Sequence, residues 1–279
     1  MIPVSHYLLP PASRVEFLVH APPRTVKRAQ LITLGIDTGP FGDNDPRRPL
    51  ATIQLKEEEE LASAALPVTS APLAPANTAA SYRRFAGLAG APVAVRRTVY
   101  FDEIQPSAFF MAVEGKGEHV FNPDLPPDII ATQGTVEEWT VQNRTQENHE
   151  FHFHQVHFLV ESQNNFEING SQQSPAVTGQ YADVIQVPYW DNNPDHPYPS
   201  VTLRIDFRGP DVGDFVFHCH ILGHEDLGMM NIIRVRPAGL EGAAAGSATK
   251  ESTPRSGSDV ALNLHPAHGK PPARAANLK

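Results

Sequence analysis

The sequence predicts an all-β protein, a sandwich or barrel, on three observations. Short runs rich in Val, Ile, Phe, Tyr and Thr recur from Val95 to Val235, and Gly and Pro clusters punctuate them. The composition of the 279 residues, 41% hydrophobic and 19% charged, is that of a globular chain of one or two domains. Strands are expected, in order, at Arg14–His20, Ala29–Leu34 and Leu50–Leu55, with the turn-rich stretch TGPFGDNDPRRP before the last. Three strands cannot bury a sheet face of their own, so residues 1–55 read as part of a domain. From Lys56 the run KEEEELASAALPVTSAPLAPANTAAS turns acidic and then Ala-, Pro- and Ser-rich, which reads as a solvated linker over 56–94. Strands resume at Val95–Phe101, Phe109–Val113, Val136–Gln142, Phe151–Glu161, Ala182–Val187, Ser200–Phe207, Asp214–His220 and Asn231–Val235, giving one complete domain over 95–237. Residues 238–279 contain no Phe, Trp or Tyr and are expected to be disordered.

A net charge of −9 leaves no basic footprint for a phosphate backbone, which argues against a nucleic-acid partner. No apolar run reaches the ~18 residues of a membrane span. The N-terminus, MIPVSHYLLPPASRVEF, lacks the basic and apolar regions of an ordinary signal peptide, so the protein is expected to be cytosolic or to begin further upstream. With one cysteine, Cys219, no internal disulfide forms, and its thiol is either a small buried hydrophobe or a chemical group.

The histidines decide between those two. His149, His152, His154 and His157 fall within nine residues, and His218, His220 and His224 within seven, as H-E-F-H-F-H-Q-V-H and H-C-H-I-L-G-H-E-D-L-G-M-M. On regular strands side chains alternate faces, so His152 and His154 share one face and His149 takes the other, while Cys219 points away from His218 and His220. Two back-to-back sites follow. His224 and Met229 come five and ten residues after Cys219, so one loop can return an imidazole and a thioether to the thiolate. Two imidazoles, a thiolate and a weak axial Met are the donors of a blue-copper site. Zinc also accepts His and Cys, but its structural sites more often use several cysteines and gain little from a thioether. Met230, beside Met229, reads as core. His157 reads as a strand residue with an ordinary hydrogen bond, and Trp139, Tyr189 and Trp190 as packing aromatics.

The segments His218–Met229 and His149–His154 resemble the C-terminal signature and the H-x-x-H-x-H motif of multicopper oxidases such as laccases, and FRGPDVGDFVFHCH resembles the strand that leads into that signature. More weakly, LLPPASRVEFLV and Asp37–Leu50 resemble the end of that family's middle cupredoxin domain. The resemblance implies a cupredoxin-like Greek-key sandwich, preceded by part of a second cupredoxin domain. It implies type 1 copper on His149, Cys219, His224 and Met229, type 2 copper on His152, and the type 3 pair on His154, His218 and His220. Single electrons would leave a small reductant (a phenol, another aromatic reductant or a metal ion) at type 1 copper and pass through Cys219, His218 and His220 to a trinuclear cluster that reduces O₂ to water. In some bacterial laccases a carboxylate directly after the last histidine assists proton delivery, a role that would fall to Glu225; the plainer reading is that Glu225 and Asp226 hydrate a loop.

The chain departs from the family in one respect. A trinuclear cluster takes four H-x-H pairs, and only two are present; His6, His20, His119 and His196 stand alone, and His265 and His268 lie in the tail. The expectation is therefore a complete type 1 site and half of a trinuclear one, with an N-terminal cupredoxin domain or a partner chain supplying the rest. The competing function is a non-enzymatic blue-copper electron carrier, which has no use for the two H-x-H pairs. A relative of copper nitrite reductases is a weaker alternative, since its catalytic copper does not need this full set of paired histidines. For the family as a whole, a periplasmic or extracellular location is expected.

Overall fold

Burial alternates with period two in several segments after Val95, among them Met230–Arg236, where Asn231, Ile233 and Val235 are buried while their neighbours reach outward. That alternation is what a strand with one face on a core requires. The computed structural model describes residues 4, 6–18, 23, 25–54, 84–166 and 177–239. Within these, β1 (Arg28–Ile32) and β2 (Pro49–Gln54) form an antiparallel ribbon. The strands that follow are β3 (Val95–Ile104), β4 (Ala108–Val113), β5 (Ile129–Thr132), β6 (Val136–Asn143), β7 (His149–Phe153), β8 (Phe158–Asn164), β9 (Tyr181–Ala182), β10 (Val184–Val187), β11 (Ser200–Asp206), β12 (Gly213–Cys219) and β13 (Met230–Arg236), with one short helix, α1 (Leu222–Asp226), between the last two.

These eleven strands make two sheets, in the orders β10-β7-β12-β13-β5 and β4-β3-β6-β11-β8-β9. Connections β6 to β7, β7 to β8, β10 to β11 and β11 to β12 each change sheet, so sequence neighbours are seldom sheet neighbours, and the expected all-β Greek-key sandwich is the fold. Trp139 occupies its centre, fully buried, with its ring edge-on to Phe153 at 5.4 Å and Phe217 at 5.3 Å. Its indole N–H donates to Glu137 Oε2, which also accepts from Arg97 at 2.7 Å, so this buried polar atom and this buried charge are both paired. No helix among the described residues is long and apolar enough to cross a membrane.

Four sequence expectations change, one of them the single strand Ala182–Val187, which is divided between β9 and β10 in different sheets. Residues 14–18 of the expected strand Arg14–His20 form no strand; Phe17 and Leu18 are exposed, and no neighbouring strand among the described residues takes up their backbone groups. The single strand expected over Phe151–Glu161 is two strands in different sheets, because the backbone turns at Gln155, whose φ is +71°. For the same reason His157 lies in the connection ahead of β8 rather than on a strand. Finally, β5 pairs in parallel with β13 and was not expected. Of the expected linker, residues 56–83 lie outside the described residues, but Leu88 near its end is buried against Val136 and Leu159. The expected tail lies outside the described residues from residue 240 onward.

Candidate metal centre

Strands β7 and β12 lie side by side, and their register sets the whole site: Phe217 faces Phe153, His218 faces His152 and Cys219 faces Phe151. Phe151, Phe153, Phe217 and Cys219 therefore share the core face with His149, while His152 and His218 share the other. Parity read from sequence thus describes the observed geometry. Beyond Cys219 the chain leaves the sheet into α1, which brings His224 back over the sulfur. The loop is closed by its own backbone, as Cys219 N–H donates to Met229 O and Met229 N–H to His224 O, both at 3.0 Å. Gly228 makes this return possible: its φ is +104°, and a Cβ there would stand 2.3 Å from a Val120 methyl.

On the core face, His149 Nδ1 lies 3.1 Å from His224 Nδ1, and Cys219 Sγ lies 3.6 and 3.7 Å from these two atoms. Donors sharing one tetrahedral ion at bond lengths of about 2.0–2.3 Å stand about 3.3–3.5 Å apart, so the three atoms match a single cation. Which nitrogen is bare follows from the hydrogen bonds. The Thr145 hydroxyl donates to Asn143 Oδ1 or Glu147 O, so at 2.8 Å it accepts His149 Nε2–H and leaves Nδ1 with its lone pair toward Cys219. Phe101 stacks on the His149 ring at 4.8 Å and Phe109 on His224 at 4.6 Å, which fixes both ring planes. Burial pushes His224 down to about 4 and His149 well below the usual imidazole value, and it raises the Cys219 thiol. Neutral imidazoles suit a cation, and a thiol this reluctant to ionise becomes a thiolate with a metal beside it. Met229 is fully buried in the core beside them, and Met230 is only partly buried.

On the opposite face the tautomers reverse. His152 Nδ1–H donates to Asp183 O at 2.8 Å and His218 Nδ1–H to Cys219 O at 2.9 Å, so both present a bare Nε2. His154 Nε2 lies 3.1 Å from His218 Nε2, and His152, His154 and His218 can together hold an ion. The ring of His220 stands 5.0 Å from His152 and 5.2 Å from His218. Burial holds His152 and His218 down at about 4. Glu225 reaches this side, its Oε2 3.4 Å from His218 Nδ1. His157 belongs to neither group and lies 4.0 Å from Asp183, while His119 pairs with Asp128 and His196 with Asp191.

Sequence reasoning missed a shell around the core-face site. Glu147 Oε1 lies 3.5 Å from His224 Nε2, and Glu103 Oε2 lies 4.0 Å from His149 Nε2. Burial and the neighbouring Glu103 push Glu147 up to about 9, and Gln105 donates to both carboxyls. Only the proximity of Glu147 and Thr145 to His149 in sequence hinted at them. The loop that carries both is pinned from residues 37–41: Asn148 donates to Asp37 O at 2.9 Å, and Tyr189 O–H donates to the Asp37 carboxylate at 2.9 Å. Gly39, at φ +95°, permits that contact, since a Cβ there would meet Gln146 O at 2.3 Å.

The sequence profile of the multicopper oxidases matches residues 100–239, half of the chain. Over 101 residues the chain is 35% identical to a laccase of Bacillus subtilis, covering 35% of this chain and 20% of that one. It is 32% identical over 103 residues to a multicopper oxidase of Staphylococcus aureus, covering 36% and 20%. A multicopper oxidase structure from Campylobacter jejuni, described as a metallo-oxidase, aligns with 75% of this chain and 40% of its own at 20% identity and a TM-score of 0.48. The matched region spans about a fifth of these curated relatives.

Proposed function

The chain belongs to the multicopper oxidase family, and from that premise we propose that it is the copper-binding C-terminal part of a laccase-like oxidase. His149, Cys219, His224 and an axial Met229 would hold type 1 copper, His152 type 2 copper, and His154, His218 and His220 the type 3 pair. Bound there, copper would supply one-electron acceptance from a small reductant, such as a phenol or another aromatic reductant or a metal ion, and four-electron reduction of O₂. The remaining H-x-H pairs would come from an N-terminal cupredoxin domain or a partner chain.

The observation that carries this reading is the back-to-back placement of two donor groups on adjacent residues. Cys219 Sγ faces His149 and His224, while the peptide of the same residue accepts His218 Nδ1–H at 2.9 Å. Cys219 therefore joins the two groups covalently through His218 and His220 and again by that hydrogen bond. A blue-copper carrier needs only the core-face group, and the bare Nε2 atoms of His152 and His218 on the far face favour the oxidase. Glu225 is partly exposed beside His218, which supports a part in delivering protons from solvent. The test is copper loading of the purified chain: an intense visible copper–thiolate band supports the reading, and a colourless protein that prefers zinc contradicts it.

A further inference from the structure

His149 enters β7 from the connection 144–148, which crosses from one sheet to the other, so no strand ladder takes up the backbone groups of that connection. Asn148, the residue before the histidine, is buried and finds its partners elsewhere. Its N–H donates to Thr38 O, its side-chain amide donates to Asp37 O, and its Oδ1 accepts Tyr189 N–H, each at 2.9 Å. Phe41 N–H donates to Gln146 O at 3.3 Å, and a Cβ on Gly39 would stand 2.3 Å from that same oxygen. The Asp37 carboxylate completes the clasp. One of its oxygens accepts Gly39 N–H at 3.1 Å, which shapes the turn, and the other accepts Tyr189 O–H at 2.9 Å. Tyr189 follows β10, whose last residue, Val187, faces His149 in the register. Three segments therefore meet around Asn148, and the one that carries Asp37 lies outside residues 100–239, the part that matches the family profile.

We propose that Asp37 is a positioning residue for His149: it ties residues 37–41 to Tyr189, keeps the connection 144–148 closed, and so holds His149 in its metal-binding position before the metal arrives. The inference rests on the assignment of His149 to type 1 copper. Apparent affinity falls in proportion to the fraction of molecules in the binding-competent conformation, so a contact that keeps the connection closed raises affinity without touching the metal. Opening the connection would move Thr145, the partner of His149 Nε2–H, together with the ring itself. The all-nitrogen group lies on the other face of β7 and takes its outer partners from Asp183 O and Cys219 O, so it does not depend on this clasp.

The test is copper titration of the full chain against a competing chelator, as wild type, Asp37→Ala, Asp37→Asn and Tyr189→Phe. The copper–thiolate band reads the sulfur-containing group, and the non-blue EPR signal reads the all-nitrogen group. Asp37→Ala is expected to weaken copper at the sulfur-containing group about tenfold, the lower end of what outer partners of a metal ligand contribute. Tyr189→Phe, which removes one oxygen atom, is expected to weaken it about fivefold, the worth of one hydrogen bond. Asp37→Asn keeps an acceptor for Gly39 N–H and a polar partner for Tyr189, and is expected to restore most of the loss. Copper at the all-nitrogen group is expected to bind as in wild type throughout. An unchanged affinity at the sulfur-containing group in Asp37→Ala overturns the inference, as does an equal loss at both groups, which would assign Asp37 to general stability. If Asp37→Ala fails to fold, Tyr189→Phe decides by the same two readings. A wild-type chain without a blue band defeats the type 1 reading itself, whereas a blue wild type with an unchanged Asp37→Ala defeats only this inference.

Discussion

His152 stands directly across from His218 in the register of β7 and β12, their rings 5.1 Å apart and nearly perpendicular. One residue further along β12, Cys219 faces the opposite way into the core. This one-residue offset separates a sulfur-containing donor group from an all-nitrogen one by no more than the thickness of a sheet, and the proposed electron path depends on it.

The hydroxyl of Thr145 fixes the tautomer of His149, so Thr145→Val leaves a buried N–H unpaired and frees the ring to lose its bare Nδ1. Loss of such an outer partner costs about 10–100-fold in metal affinity. Competition titration against a copper chelator is expected to show a fall in that range for Thr145→Val and near-native affinity for Thr145→Ser.

Trp139 fills the centre of the sandwich with no exposed surface. Trp139→Ala is expected to destabilise the metal-free protein by about 3–5 kcal/mol, read as a lower denaturant midpoint. A loss below about 1 kcal/mol would mean that the two sheets close over the gap.

The same two strands show how far sequence reaches. Alternation is local, so the opposite facing of His152 and His149, and of Cys219 and His218, is legible in the sequence alone. The break between Phe153 and Phe158 is not, because apolar residues lie close on both sides of it, Val156 falls within it, and no Gly or Pro marks it. What ends β7 is the left-handed backbone of Gln155 and the move of β8 to the other sheet. Strand β5 escapes for a related reason: four residues paired in parallel with the distant β13 carry little signal of their own. The partners that set the tautomers, Thr145 for His149 and Asp183 O for His152, are likewise tertiary neighbours. Asp183 O is a backbone atom, which no residue type announces.

Burial, reinforced by the neighbouring Glu118, raises Asp102 to about 6. A carboxyl raised in the folded state favours folding below its unfolded value near 3.8 and loses that contribution as pH rises through about 6. Asp102→Asn is therefore expected to stabilise the protein at pH 7 and to make little difference below pH 4. Thermal melts at both values check the sign; a variant less stable than wild type at pH 7 contradicts it.

With two of the four H-x-H pairs, the copper-loaded chain alone is expected to take up electrons from a reductant once, bleaching its visible band, and to consume little or no O₂ afterwards. Oxygen-electrode measurements check this. Sustained four-electron reduction of O₂ by the monomer would show that counting histidine pairs misjudges the cluster.

The most direct test of the two-faced site is the visible absorption of the copper-loaded chain carrying Cys219→Ser or His152→Ala. Serine offers no soft thiolate, so Cys219→Ser is expected to abolish the copper–thiolate band. His152 faces away from the sulfur, so His152→Ala is expected to keep the band while losing copper from the other face. If His152→Ala bleaches the band as fully as Cys219→Ser, His152 belongs to the sulfur site and the separation of the two faces is wrong.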